Sequence, residues 1–269
     1  MIYLVVPVHN GLDKIKEFIK CVNAQTVREK TILVLVDCGS VDGSTEWSDK
    51  CYDRTIILRK SDRVYCGEAF SFAYKILKGF IKDNDVILLM NTDGIFNEDF
   101  VEIGSSLVNH GLLVTSQSFK NGVQFDGCVE VKWGKLQFTL SDHPNVCSTR
   151  GLFLTGRDFI GSGGFSRWLP HYCSDYEFTH RLWRQGFKIV TNPKLRIEAD
   201  GCSGIEEPRN LKELFSIRCP NNPIYKTIFV FLSCPARYWI VNILRAWSRV
   251  VYIYPFQGHL YQTNMETGK

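Results

Sequence analysis

Carboxylates and amides recur in this chain where apolar runs stop. The stretch V-I-L-L-M-N-T-D at 86–93 has five apolar residues, follows the turn-like K-D-N-D at 82–85, and ends in polar atoms. A run too short for a helix and bounded this way reads as a strand buried on both faces. In open α/β sheets ligands sit beyond the carboxyl ends of strands, so Asn91 and Asp93 would stand at the rim of a crevice. Carboxylate and amide oxygens on a rigid strand end suit a hard divalent cation that also holds a diphosphate. The same residues are good turn chemistry, and alone they do not decide between the two roles. A second run, Thr31 to Val36, closes on D-C-G-S-V-D-G-S at 37–44, a strand, a tight turn and a helix start. A third acidic stretch, Ser174-Asp175-Tyr176-Glu177, has the S-x-x-E spacing of a capping box. Both of its acids fall in a first helical turn, where the helix dipole favours negative charge, so a structural role competes with a chemical one.

The elements that must carry these groups follow from periodicity. Ile2 to Val6 is an apolar run ended by Pro7, and Leu12, Ile15, Ile19 and Val22 continue at helical spacing with Asn10 as candidate N-cap. Thr55 to Leu58 reads as a strand, Glu68 to Ile81 as a helix, and the strand at 86 follows. Phe100, Ile103 and Leu107 mark a further helix, and Leu112 to Ser116 a further strand. This alternation predicts an α/β chain built on a parallel, doubly wound sheet. From Val123 to Leu140 the period changes to two, with Gly134-Lys135 at its turn, which predicts a hairpin lying as a flap beside the crevice. Gly151 to Leu154 and Ile189 to Thr191 are short strands. The glycine-rich 161–165 is a loop, and a helix runs from Ser174 to about Gly186.

With 269 residues, 45% of them hydrophobic and 22% charged, the chain has ample core for a globular protein. Its net charge of +4 is mild but localised. From Leu214 to Met265 there is no acid, while Arg218, Lys226, Arg237, Arg245 and Arg249 are basic. In that segment Ile240, Ile243, Leu244, Trp247, Val250, Val251 and Tyr254 recur at three or four residues, as in a helix that lies in an anionic membrane interface; an ordinary packed helix has the same pattern. Basic residues do not stripe the first 200 positions, so nucleic acid is not the expected partner. The ten cysteines are scattered without a Cys-x-x-Cys pair, as expected of reduced thiols. The N-terminus lacks signal-peptide character and no apolar run reaches spanning length, which points to a cytoplasmic, peripheral protein.

Taken in order, P-V-H-N at 7–10, V-D-C-G-S-V-D-G-S at 36–44, N-T-D at 91–93, G-G-F at 163–165 and S-D-Y-E-F-T-H-R-L-W-R-Q-G at 174–186 resemble the family 2 glycosyltransferases. These are inverting enzymes of the GT-A nucleotide-diphosphosugar fold, and the likeness covers roughly residues 2–203. Asn91 in place of a first Asp is similar to the rhamnosyltransferase branch. The resemblance implies a catalytic domain over 1–205, with a nucleotide-sugar half to about 110 and an acceptor half to 205, followed by a C-terminal basic, aromatic helical segment over 206–269. It implies that Pro7, Val8 and His9 line the nucleotide, that Asp37 bonds the base or ribose, and that Asn91 lies close to the sugar or metal. Asp93 would bind Mg²⁺ or Mn²⁺, and Asp175 would be the general base. Ser174 stands where the family commonly has Glu, which keeps Glu177 as an alternative base. Asp200 replaces a frequent His as a further candidate metal ligand, and Cys38 replaces a second Asp, leaving the base preference open. The implied partners are a nucleotide-diphosphate sugar donor and a glycan or lipid-linked glycan acceptor, with His143, His171 and Tyr172 as candidate acceptor contacts. A non-catalytic sugar-nucleotide or glycan-binding module is the alternative of a different class. A nucleotidyltransferase is a weaker one, since no Gly-rich, basic phosphate loop follows the first strand.

Overall fold

Apolar runs alternating with amphipathic stretches give the first half of the chain its layers. The computed structural model describes residues 1–199 and 204–251. It begins with β1 (Ile2–Val8), α1 (Leu12–Asn23), β2 (Thr31–Cys38), α2 (Ser44–Cys51), β3 (Thr55–Lys60), α3 (Cys66–Leu77) and β4 (Val86–Leu89), in the order the sequence predicts. β1 pairs in parallel with β2 and β4, and β2 with β3. Leu4 to Val6, Leu33 to Val36 and Ile87 to Leu89 are fully buried, which is why these strands are continuously apolar instead of alternating.

The second half is mixed. β5 (Gly94–Phe96), α4 (Phe100–Leu107), β6 (Leu112–Lys120), β7 (Val123–Asp126), β8 (Cys128–Lys132), β9 (Gln137–Leu140), β10 (Val146–Cys147), β11 (Leu152–Thr155), α5 (Gly156–Gly161), α6 (Ser174–Arg184) and β12 (Lys188–Ala199) follow. The main sheet runs β3-β2-β1-β4-β11-β6-β12-β5, with β7 on β6. β11 is antiparallel to both β4 and β6, so the parallel sheet expected from β-α alternation becomes a mixed one at its centre. β6 is longer than the expected Leu112 to Ser116 and folds back into β7 through Asn121 (φ 51°) and Gly122 (φ 77°). Both turn residues are left-handed, the backbone that Asn-Gly accommodates in a two-residue hairpin. The expected hairpin at 123–140 is narrower, β8 on β9, and joins β10 in a separate three-stranded sheet.

The described part of the C-terminal segment packs on this second sheet. α7 (Leu211–Leu214) and α8 (Pro223–Ser233) precede a helix over 239–251. Phe229 of α8 packs against Trp133 and Phe138 at ring separations of 5.5 and 6.1 Å. The Asn242 amide and the Arg245 guanidinium donate to the Trp133 and Gly134 carbonyls at 2.8 and 2.6 Å. Ile240, Leu244, Trp247 and Val251 stay exposed along one stripe of the last helix. No helix among the described residues is long and apolar enough to cross a membrane, and their cysteines are all free thiols.

Candidate active site

A cavity of about 700 Å³ opens beyond the carboxyl ends of β1, β2 and β4. Pro7, Val8, His9, Asn91, Asp93 and Asp175 all line it, so the sequence-derived candidates from both halves of the chain meet in one place. Asp37 does not line it. Its carboxylate is buried and accepts from the Ser40 amide at 2.8 Å, holding the turn after β2, while the adjacent Cys38 faces the cavity. The Cys38 carbonyl bonds His9 Nδ1 at 2.9 Å; because a carbonyl only accepts, Nδ1 carries the proton. Asn10 is not the N-cap of α1. Its side chain accepts from the Val41 amide, and Asp42 accepts from Leu12 N, so two loops close over the strand tips. Asp200 lies outside the described residues.

The tip of β4 has oxygens to offer a cation. Asn91 Oδ1 and Asp93 Oδ1 are buried with no hydrogen-bond partner, a costly state unless a ligand completes them. Two hard oxygens of this kind fit Mg²⁺ or Mn²⁺, whose other positions would go to diphosphate and water. No group of three or more His, Cys, Asp and Glu suited to a metal occurs among the described residues. The other Asp93 oxygen, Oδ2, accepts from Arg150 Nη2 at 3.3 Å.

Asp175 opens α6 from a strained residue, Cys173, whose φ of 65° is left-handed. The expected capping box is not formed. Ser174 Oγ donates to the His171 carbonyl, and Glu177 pairs instead with Arg181 Nε at 2.8 Å. Arg181 also donates to the carbonyls of Ser162 and Gly164, so Glu177 braces the glycine-rich loop and does not face the cavity. Asp175 does face it. Loss of hydration, reinforced by Asp126, pushes its carboxyl up to about 7, where a general base is most effective at neutral pH.

Several lining residues carry no sequence signal of their own. Asp126 ends β7 and its pKa is raised by burial; Arg63 and Arg150 come from irregular segments. Arg218 and Lys226, whose charges suggested a surface role, also line the cavity, and burial lowers the pKa of Lys226. His171 and Tyr172 line it and His143 does not. Burial, with Arg218 and Arg63 nearby, lowers His171 to about 4, so it is neutral at pH 7.

Residues 3–118, from β1 into β6, match the family model Glycosyl transferase family 2. A search of curated protein sequences finds no match. Among solved structures the chain is similar to the mannosyltransferase PcManGT from Pyrobaculum calidifontis, in complex with GDP-Man and Mn²⁺. The identity is 12% and the TM-score 0.54, over 73% of this chain and 56% of that one. It is also similar to S. aureus TarS 1-349 in complex with UDP-GlcNAc, at 13% identity and a TM-score of 0.60, over 86% of this chain and 65% of that one. The chain therefore spans roughly three fifths of the length of these two structures, which at such identities speak for the GT-A-like fold.

Proposed function

We propose, from the match of residues 3–118 to the Glycosyl transferase family 2 model, that the chain transfers a sugar, with inversion, from a nucleotide-diphosphate donor to a glycan or lipid-linked glycan. The observation that carries this reading is the meeting of Asp93 and Asp175 in one cavity, with Asp175 titrating near neutrality. Pro7, Val8 and His9 line the nucleoside, and Asp37 acts through the turn it holds. Asn91 and Asp93 hold a divalent cation, with Asp200 as a candidate further ligand. When bound, that ion neutralises the charge of the departing diphosphate. Asp175 takes the proton of the acceptor hydroxyl as its oxygen bonds the anomeric carbon. The bond to the diphosphate breaks on the opposite face and its electron pair leaves with the phosphate oxygen. No side-chain nucleophile is needed. The nucleotide sugars in the titles of the similar structures, GDP-Man and UDP-GlcNAc, support a donor of this class.

The sugar is a hexose or, in line with Asn91 at the metal motif, a deoxyhexose. The exposed stripe of Ile240, Leu244, Trp247 and Val251, in a segment that also carries Arg237 and Arg249, supports peripheral contact with an anionic membrane on its cytoplasmic side, where a lipid-linked acceptor would be presented. Thermal unfolding with a panel of nucleotide sugars, with and without Mn²⁺, tests the donor class. A ligand held only by the folded state at a hundred times its Kd adds about 2.7 kcal/mol, several degrees in Tm. At least one nucleotide sugar should give such a shift in a Mn²⁺-dependent way; a flat response across the panel would count against the reading.

A further inference from the structure

Asp93 and Asp126 reach the cavity from different strand ends, and their side chains are only 15% and 13% exposed. Two ionised carboxylates there repel one another unless a cation is shared between them. Arg150 is that cation, with Nη2 at 3.3 Å from Asp93 and Nη1 at 3.7 Å from Asp126. Both distances exceed the roughly 2.7–2.9 Å of a tight charge-assisted bond, so the guanidinium is divided between the two carboxylates instead of forming a bidentate fork with one, and it also lies 5.3 Å over the Phe125 ring. Its backbone, by contrast, is pinned. The Arg150 carbonyl accepts from Ser116 Oγ at 2.5 Å, and the next residue, Gly151, has a left-handed φ of 83° and donates to Leu89 at 3.0 Å.

We propose that Arg150 is a positioning residue that exchanges partners: it neutralises Asp93 and Asp126 in the donor-free protein, and leaves Asp93 to pair with the donor's diphosphate when a divalent cation arrives. The inference rests on the reading of Asp93 as a cation-binding residue. A guanidinium and a divalent ion cannot share one carboxylate without strong repulsion across a poorly hydrated site. The arriving diphosphate supplies new negative charge in a geometry that a planar guanidinium matches. Arg150 therefore opposes the cation alone and favours the cation together with diphosphate, so that the site assembles only around both.

The test uses the full chain and two probes, Mn²⁺ alone and Mn²⁺ with inorganic pyrophosphate, with free Mn²⁺ read by electron paramagnetic resonance. In Arg150→Gln, Mn²⁺ alone should bind about tenfold tighter and the pyrophosphate complex about tenfold more weakly, a size usual for coupled sites. A purely structural arginine would not tighten binding of the bare ion. A crystal structure of the unaltered protein with both probes makes the test independent of how the variant folds. There the Arg150 guanidinium should bond pyrophosphate and have left Asp93. The proposal is overturned if Mn²⁺ alone binds the variant no tighter, or if Arg150 stays on Asp93 beside the bound ion. An unaltered protein that binds neither probe would overturn the reading of Asp93 as well.

Discussion

Asp175 sits at a position where hydration, charge and backbone geometry all act on one carboxyl. Its surroundings hold it near 7 instead of the usual 3.8, with burial the larger cause and Asp126 the second. The base form is ionised, so transfer should rise about tenfold per pH unit below 7 and level off above it, as a pH profile of kcat/KM with saturating Mn²⁺ would show. Stability runs the other way. A carboxyl whose folded pKa lies above its unfolded value binds more protons when folded, so its contribution is fully present below 3.8 and is lost as the pH rises through 7. Asp175→Asn should accordingly gain thermal stability over the unaltered protein between about pH 4 and 8. A constant difference across that range would contradict the raised pKa.

At the scale of elements, the first turn of α6 divides its two acids between different tasks. Asp175 faces the cavity, whereas Glu177 is buried against Arg181 and through it fixes the loop at 162–164. Breaking a buried ion pair costs about 3–5 kcal/mol. Arg181 is about a third exposed and keeps two carbonyl acceptors, so Glu177→Gln should cost nearer 2 kcal/mol, read as a lower Tm, with transfer per folded molecule unchanged. Loss of transfer without loss of stability would instead make Glu177 the base. The pairing also shows why S-x-x-E does not cap here: the box spacing is present, but Arg181, one turn on in the same helix, competes for the carboxylate. Strands β1, β2 and β4 were legible because complete burial leaves an unbroken apolar run. The turn into β7 is written just as locally, as Asn121-Gly122, but β6 runs four residues past Ser116 through polar side chains that break its apolar run. The reversed direction of β11 has no local signal, since pairing direction depends on where the chain returns.

The whole molecule joins what the sequence divides. Asn91 and Asp93 were legible as cavity residues because they follow a buried strand, and Pro7, Val8, His9 and Asp175 through the family resemblance, whereas Asp126 and Arg150 gain meaning only from one another across the fold. Arg218 and Lys226 show the same limit more strongly. Composition marks them as surface charge, and packing of the C-terminal segment beside α6 and the second sheet turns them into the cavity. That packing leaves Ile240 and Leu244 outward, at 78% and 66% exposure, on the face that the proposed membrane contact would use. The intact protein should therefore sediment with vesicles containing anionic lipid and less with neutral ones, and Ile240→Glu with Leu244→Glu should abolish the difference; unchanged sedimentation would remove the membrane contact. The central claim is that one carboxylate in this cavity accepts the acceptor's proton. Its most direct test is sugar transfer by Asp175→Asn under donor saturation, with donor affinity measured in parallel. The account predicts a loss of about a hundredfold or more in turnover with donor affinity nearly intact, and full turnover in that variant would contradict it.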